Sequence, residues 1–249
     1  MLYRLLDTVC QRIDRLDVKA EIPQMLEQIK RARPDLRQHL AQTKGTPAVR
    51  DLVAQAIAAG VLQQIKELPR IAAFLAEKSK SGRIAPSVRC GVASVLAYLV
   101  QPRDLIPDDA PGGYGFIDDS AILRAGLVTY LRVSPAPQFD IDEQEKYINM
   151  TAGVVPPQTL PLLQLTVGNM ATAFQVMSML PPAVATLTLQ QLVANPLNVG
   201  APQGPPGFTP AAVPTYGSGH WSGGGYFEGG NVVIPGGPSL IDGKLFIPD

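Results

Sequence analysis

The stretch of sequence that sets the fold, residues 92–131, reads VASVLAYLVQPRDLIPDDAPGGYGFIDDSAILRAGLVTYL. Its two ends are apolar runs, which predict helices over residues 86–100 and 119–131. Pro102 ends the first helix, because proline cannot continue the backbone hydrogen bonds, and Pro107 stiffens the connection. The pattern therefore predicts a helical hairpin.

Five aspartates fall within 16 residues of this connection, and one interpretation makes them structural. Asp104 can accept hydrogen bonds from nearby backbone N–H groups in a turn. Asp118 stands just before the second apolar run, where an N-cap residue belongs. Asp119 then favours the positive end of the helix dipole. On this interpretation the aspartates shape the hairpin.

The same carboxylates also suit a metal ion, because hard divalent cations prefer oxygen ligands. This hypothesis assigns a Mg²⁺, Mn²⁺ or Ca²⁺ site to Asp104, Asp108, Asp118 and Asp119. Such a site would be structural or would activate water in a metal-dependent hydrolase. The pattern otherwise indicates no cofactor, no catalytic residue and no small-molecule substrate.

The hairpin resembles the YkvA-like family of bacterial domains of unknown function. The family signature is an apolar helix ending in tyrosine, a P-x-D-L-I-P-D turn, a glycine, a D-D pair and a second apolar helix. The matching residues are Tyr98, Pro102, Asp104, Leu105, Ile106, Pro107, Asp108, Gly115, Asp118 and Asp119. The loop before the glycine is slightly enlarged, as DAPGGYG. The resemblance covers about 40 of 249 residues and implies a helical hairpin, often found in small proteins near membranes, with no established reaction.

The chain of 249 residues carries 21 basic and 21 acidic side chains. A net charge of zero argues against binding of nucleic acid by bulk charge. The two cysteines, Cys10 and Cys90, are too few for a disulfide framework and favour a reducing compartment. The N-terminus is amphipathic and charged, which argues against a signal peptide. We expect a cytoplasmic protein, located at the membrane periphery or within an assembled particle.

Charge divides the chain near Val133, with 19 basic and 14 acidic residues before it and 2 and 7 after it. Residues 147–227, 81 in number, contain no Asp, Glu, Lys or Arg. A solvent-exposed surface needs charged residues to keep a protein soluble. We therefore expect this stretch to be buried against another protein surface. The predicted regions are a helical domain (1–133) that contains the hairpin, a charge-poor helical region (134–200) and a tail (201–249).

Apolar spacing predicts further helices on both sides of the hairpin. Thr46 followed by Pro47 marks the start of a helix that continues to Ile65. The apolar run from Leu160 to Leu180 is interrupted by Pro161 and by polar residues, which favours a packed helix over a membrane span. Its predicted interaction residues are Met170, Phe174 and Met177.

The tail holds 12 glycines and 8 prolines, yet its end alternates in a way typical of strands. The Asp242-Gly243 pair predicts a two-residue hairpin turn between residues 239–241 and 244–247, and residues 231–234 supply a possible third strand. We expect a lone hairpin to dock on the protein or on a neighbouring subunit. The predicted interaction residues of the tail are Trp221, Leu245 and Phe246.

The predicted fold class is mainly α, with a helical N-terminal domain, apolar helices after the hairpin and a short β-hairpin in a Gly/Pro-rich tail. The expected function is that of a non-enzymatic structural or adaptor protein. It would dock in a protein assembly or homo-oligomer through its uncharged C-terminal half. The alternatives are a peripheral membrane protein, with basic helices facing anionic headgroups, and the metal-dependent hydrolase.

Overall fold

The computed structural model of the chain describes residues 2–36, 46–100, 105–181 and 183–184, together with four strand segments between residues 226 and 246. The described part before residue 185 is helical, so the prediction of a mainly α protein is confirmed. The helices are α1 (Leu2–Asp14), α2 (Val18–Ala32), α3 (Pro47–Lys66), α4 (Leu68–Lys80), α5 (Pro86–Tyr98), a 3₁₀ helix (Pro111–Phe116), α6 (Ile117–Val133), α7 (Ile141–Val154) and α8 (Leu160–Met179).

Local signals set the start of several helices. The Thr46 hydroxyl accepts a hydrogen bond from the Val49 N–H at 3.4 Å, and Pro47 occupies the first turn of α3, as predicted. Asp17 caps α2 in the same way, accepting from the N–H groups of Lys19 and Ala20. These short side chains satisfy N–H groups that have no partner within the helix.

One hydrophobic core joins helices from both sides of Val133. Helix α5 packs against α8, and α6 packs against both α7 and α8. The approach of α5 to α6 is close at Gly126, where an added Cβ would lie 2.4 Å from Cγ1 of Val95. The hairpin therefore lies inside a helical body to which α7 and α8 also belong.

The strands are β1 (Tyr226–Glu228), β2 (Asn231–Val233), β3 (Ser239–Ile241) and β4 (Lys244–Phe246). They pair antiparallel in the order β1-β2-β3-β4. Asp242 and Gly243 lie outside the described residues, so the Asp-Gly hairpin turn stays a prediction.

None of the helices within the described residues combines the length and the hydropathy that a membrane crossing requires.

Candidate functional site

The hairpin places two adjacent carboxyl groups in the interior of the protein. Asp118 and Asp119 lie in the first turn of α6 and are 0% and 1% exposed. Burial of an ionisable side chain is costly unless hydrogen bonds or opposite charges compensate it. Their surroundings therefore decide what they can do.

Asp118 joins three parts of the hairpin through one oxygen. Its Oδ2 accepts hydrogen bonds from the Tyr98 hydroxyl at 3.2 Å and from the backbone N–H groups of Leu105 at 3.0 Å and Ile106 at 3.3 Å. Tyr98 ends α5, and residues 105–106 belong to the loop. The carboxyl group thus holds the end of α5 and the loop against the start of α6.

Burial raises the pKa of Asp118 to about 6, although the N–H groups of Ile106 and Leu105 and the Tyr98 hydroxyl act in the opposite direction. The pKa is raised because the loss of hydration disfavours the charged carboxylate more than the donated hydrogen bonds favour it. A carboxyl group with such a pKa changes its charge close to neutral pH.

The prediction that Asp118 caps the second helix is wrong in position. Helix α6 begins at Ile117, and Phe116 precedes it without a side-chain cap. The reason is the 3₁₀ helix, which runs directly into α6 and leaves no extended residue at its start. Asp118 instead accepts hydrogen bonds from the loop, which remains a structural use of the carboxyl group.

The enlarged loop depends on glycines. Gly112 and Gly113 have φ values of +70° and +73°, a region that side chains with a Cβ rarely adopt. An added Cβ at Gly112 would also lie 2.4 Å from the backbone nitrogen of Met25. Tyr114, which lies between these glycines and α6, donates a hydrogen bond from its hydroxyl to the carbonyl of Val154 at 2.9 Å. This hydrogen bond joins the loop to the end of α7.

Asp108, another predicted metal ligand, lies on the surface and pairs with α1. Its Oδ2 accepts from Nη1 of Arg12 at 2.8 Å, and its carbonyl accepts from Nη2 at 3.0 Å. The same guanidinium lies 5.2 Å from the centre of the Phe116 ring. The predicted ligand therefore links the loop to the N-terminal helix.

No group of three or more His, Cys, Asp or Glu side chains within the described ranges is arranged to hold a metal ion. Asp104, the remaining predicted ligand, lies outside those ranges. The metal hypothesis therefore stays a prediction.

Sequence reasoning missed Arg124, whose side chain is fully buried on α6. It donates to the carbonyl of Gln64 at 2.8 Å, to Glu67 at 3.1 Å and to the side chain of Gln144. Its guanidinium carbon also lies 4.7 Å from the centre of the Tyr147 ring. Arg124 thus joins α6 to α3, α7 and the residue between α3 and α4, and its partners are too distant in sequence for a local pattern to reveal.

The predicted interaction residues fall in different places. Phe174 is fully buried within α8, where its ring packs against Gly91 of α5. The side chains of the other five, Met170, Met177, Trp221, Leu245 and Phe246, lie outside the described part of the structure.

Comparison with curated proteins and with solved structures found no match to this chain. Comparison with protein-family models found a match at residues 88–124, which run from α5 through Asp118 and Asp119 to Arg124. In agreement with the YkvA-like resemblance, this segment matches the family described as "Protein of unknown function (DUF1232)".

Proposed function

We propose that the chain is a non-enzymatic structural or adaptor protein that docks in a protein assembly or homo-oligomer through its uncharged C-terminal half. The observation that carries the proposal is the outer face of α8. In the first turns of α8 this face exposes Leu162 and Leu165, on a helix without a charged residue, and Met179 is exposed at the end of the helix.

The two sides of α8 differ in their surroundings. Leu163, Val167 and Phe174 are buried against the body of the protein. Leu162 and Leu165, by contrast, are 53% and 58% exposed. Single exposed apolar side chains are common, but a group of them on one element is typical of an interaction surface.

The exposed apolar side chains are also concentrated along the chain. Within the described residues, six large apolar side chains are exposed, and four of them belong to α8 or follow it closely: Leu162, Leu165, Met179 and Val184. The centre of a protein interface is depleted of charged residues. A charge-free helix with exposed leucines fits that description.

The test is the mass of the purified full chain, measured by light scattering during size-exclusion chromatography. A double variant, Leu162→Arg with Leu165→Arg, adds charge to the outer face of α8. The matched control is Leu5→Arg on α1, which charges an apolar side chain that is 44% exposed elsewhere. We expect a multimer for the wild type and the control, and a monomer for the double variant.

If the wild-type chain is monomeric, the proposal requires a different protein as partner. That partner should be retained by the wild type and by Leu5→Arg, and lost with the double variant. If the double variant keeps the multimer or the partner that the wild type has, the proposal is contradicted. Sedimentation of the wild type with anionic vesicles, abolished by the double variant, would replace it with peripheral membrane association.

A further inference from the structure

The end of α4 and the chain that follows it carry an excess of positive charge. Residues 78–100 contain no Asp or Glu and four basic residues, Lys78, Lys80, Arg83 and Arg89. Lys80 and Arg83 are exposed, and the Arg83 N–H donates to the Ser81 hydroxyl at 3.2 Å in a turn directly after α4. The whole chain has equal numbers of basic and acidic residues, so this excess is local.

The start of α1 lies against the end of α4. The hydroxyl groups of Tyr3 and Ser79 share a hydrogen bond at 2.7 Å, and Nζ of Lys80 lies 3.9 Å from the centre of the Tyr3 ring. Arg4 and Leu5, the next residues of α1, are exposed. We call this surface the basic end and define it by Tyr3, Arg4, Leu5, Lys78, Lys80 and Arg83.

Most cations of the basic end have no acidic partner. None of the ion pairs within the described ranges includes Arg4, Lys80 or Arg83. The acidic side chains nearest in sequence are Glu77, which already pairs with its neighbour at 3.1 Å, and Asp7, one turn along α1. Three cationic side chains are therefore available to an anionic partner outside the chain.

The basic end also has apolar and aromatic character. Leu5 is 44% exposed beside Arg4, and the Tyr3 ring lies beside Lys80. Anionic bilayers attract lysine and arginine to their headgroups and accept apolar side chains at the boundary with the acyl chains. Tyrosine is enriched at the same interface, because its ring is apolar and its hydroxyl is polar. The mixture of side chains at the basic end matches this kind of surface.

We propose that the basic end is a docking surface for a bilayer of anionic phospholipids. Arg4, Lys80 and Arg83 bind the headgroups, and Leu5 enters the boundary with the acyl chains. The basic end consists of residues from α1, α4 and the turn after α4, whereas the proposed docking face for proteins belongs to α8. Either proposal can therefore fail without the other.

The experiment is sedimentation of the full chain with vesicles. The probe vesicles contain phosphatidylcholine with roughly 30 mol % phosphatidylserine, and the reference vesicles contain phosphatidylcholine alone. The double variant Lys80→Glu with Arg83→Glu reverses two charges of the basic end. The matched control, Arg15→Glu with Lys19→Glu, makes the same change in charge at two exposed cations near the other end of α1.

We expect the wild type to bind the phosphatidylserine vesicles and not the reference vesicles. The partition coefficient should fall at least tenfold in the variant of the basic end and by less than about twofold in the control. The pair Lys80→Gln with Arg83→Gln, which removes the charges without reversing them, replaces the glutamate variant if that protein does not fold.

The role of the apolar side chain has its own test. Leu5→Ala should weaken vesicle binding without a change in charge, whereas Val133→Ala, at a side chain that is 57% exposed on α6, should not. The Leu162→Arg, Leu165→Arg protein should still sediment. A wild type that binds neither kind of vesicle would overturn the proposal, and so would equal losses in the variant of the basic end and its control. Retention of an acidic protein without any vesicle binding would replace the bilayer with a protein partner.

Discussion

The helical hairpin and α8 differ in where they keep polar and apolar side chains. The hairpin buries Asp118 and Arg124, and each has several hydrogen-bond partners. Helix α8 has no charged residue, yet it exposes Leu162 and Leu165. Hydropathy alone therefore does not determine which side chains of this protein are buried. A polar side chain can be buried when hydrogen-bond partners compensate for its lost hydration.

The largest effect should come from removing the buried cation of the hairpin. Arg124→Ala removes the donor to the Gln144 side chain, to the Gln64 carbonyl and to Glu67, and it leaves a cavity. We therefore expect the free energy of unfolding to fall by about 3–5 kcal/mol. Denaturant unfolding followed by circular dichroism measures the change.

Arg132→Ala provides the control, because Arg132 pairs with Glu145 at the surface and such pairs contribute about 0–1 kcal/mol. Equal losses of stability in the two variants would contradict this prediction, since the buried arginine would then stabilise the fold no more than an exposed one.

The two faces of α8 offer the next test. Phe174→Ala removes a fully buried ring, and we expect a loss of about 3 kcal/mol or more. Leu165→Ala, on the outer face, should change the stability of the isolated protein by less than about 0.5 kcal/mol. Thermal unfolding of both variants, at a concentration where the chain is monomeric, measures the two changes in stability. A large loss of stability in Leu165→Ala would show that this face is covered within the chain.

The smallest effect concerns pH. The folded-state pKa of Asp118 is about 6, above its ordinary value, so its contribution to stability is full below about pH 4 and is lost as the pH rises through 6. Relative to Asp118→Asn, the wild type should therefore lose about 2 kcal/mol between pH 4 and pH 7.

Urea unfolding at several pH values measures this difference, with Asp109→Asn, an exposed neighbour, as the control. If the stabilities of wild type and Asp118→Asn run parallel from pH 4 to pH 7, Asp118 is not perturbed by burial.

Local chemistry made part of the fold predictable. The start of α3 follows from Thr46 and Pro47, because a cap acts on N–H groups two or three residues away. The helical hairpin likewise follows from apolar spacing between prolines. The cap at Asp118 was mispredicted because the 3₁₀ helix before it depends on the backbone of Gly112 and Gly113, which spacing does not reveal.

The partners of the buried polar groups were not predictable. Arg124 contacts residues 20, 57 and 60 positions away, and Arg12 reaches Asp108 across 96 positions. Such contacts follow from the packing of whole helices. Within its own segment of sequence, Arg124 has the pattern of an ordinary helical arginine.

The hydrogen bonds of Asp118 also bear on the order of folding. Its three donors lie 12, 13 and 20 residues before it. The hydrogen bond from the Tyr114 hydroxyl to the Val154 carbonyl, by contrast, joins residues 40 positions apart. Contacts that are close in sequence form faster than distant ones. On a ribosome, we expect the hairpin loop to close soon after Asp118 emerges, and α8 to be the last of the helices α1–α8 to join the core. The apolar outer face of α8 would then reach the surface only once the rest of the helical body has formed.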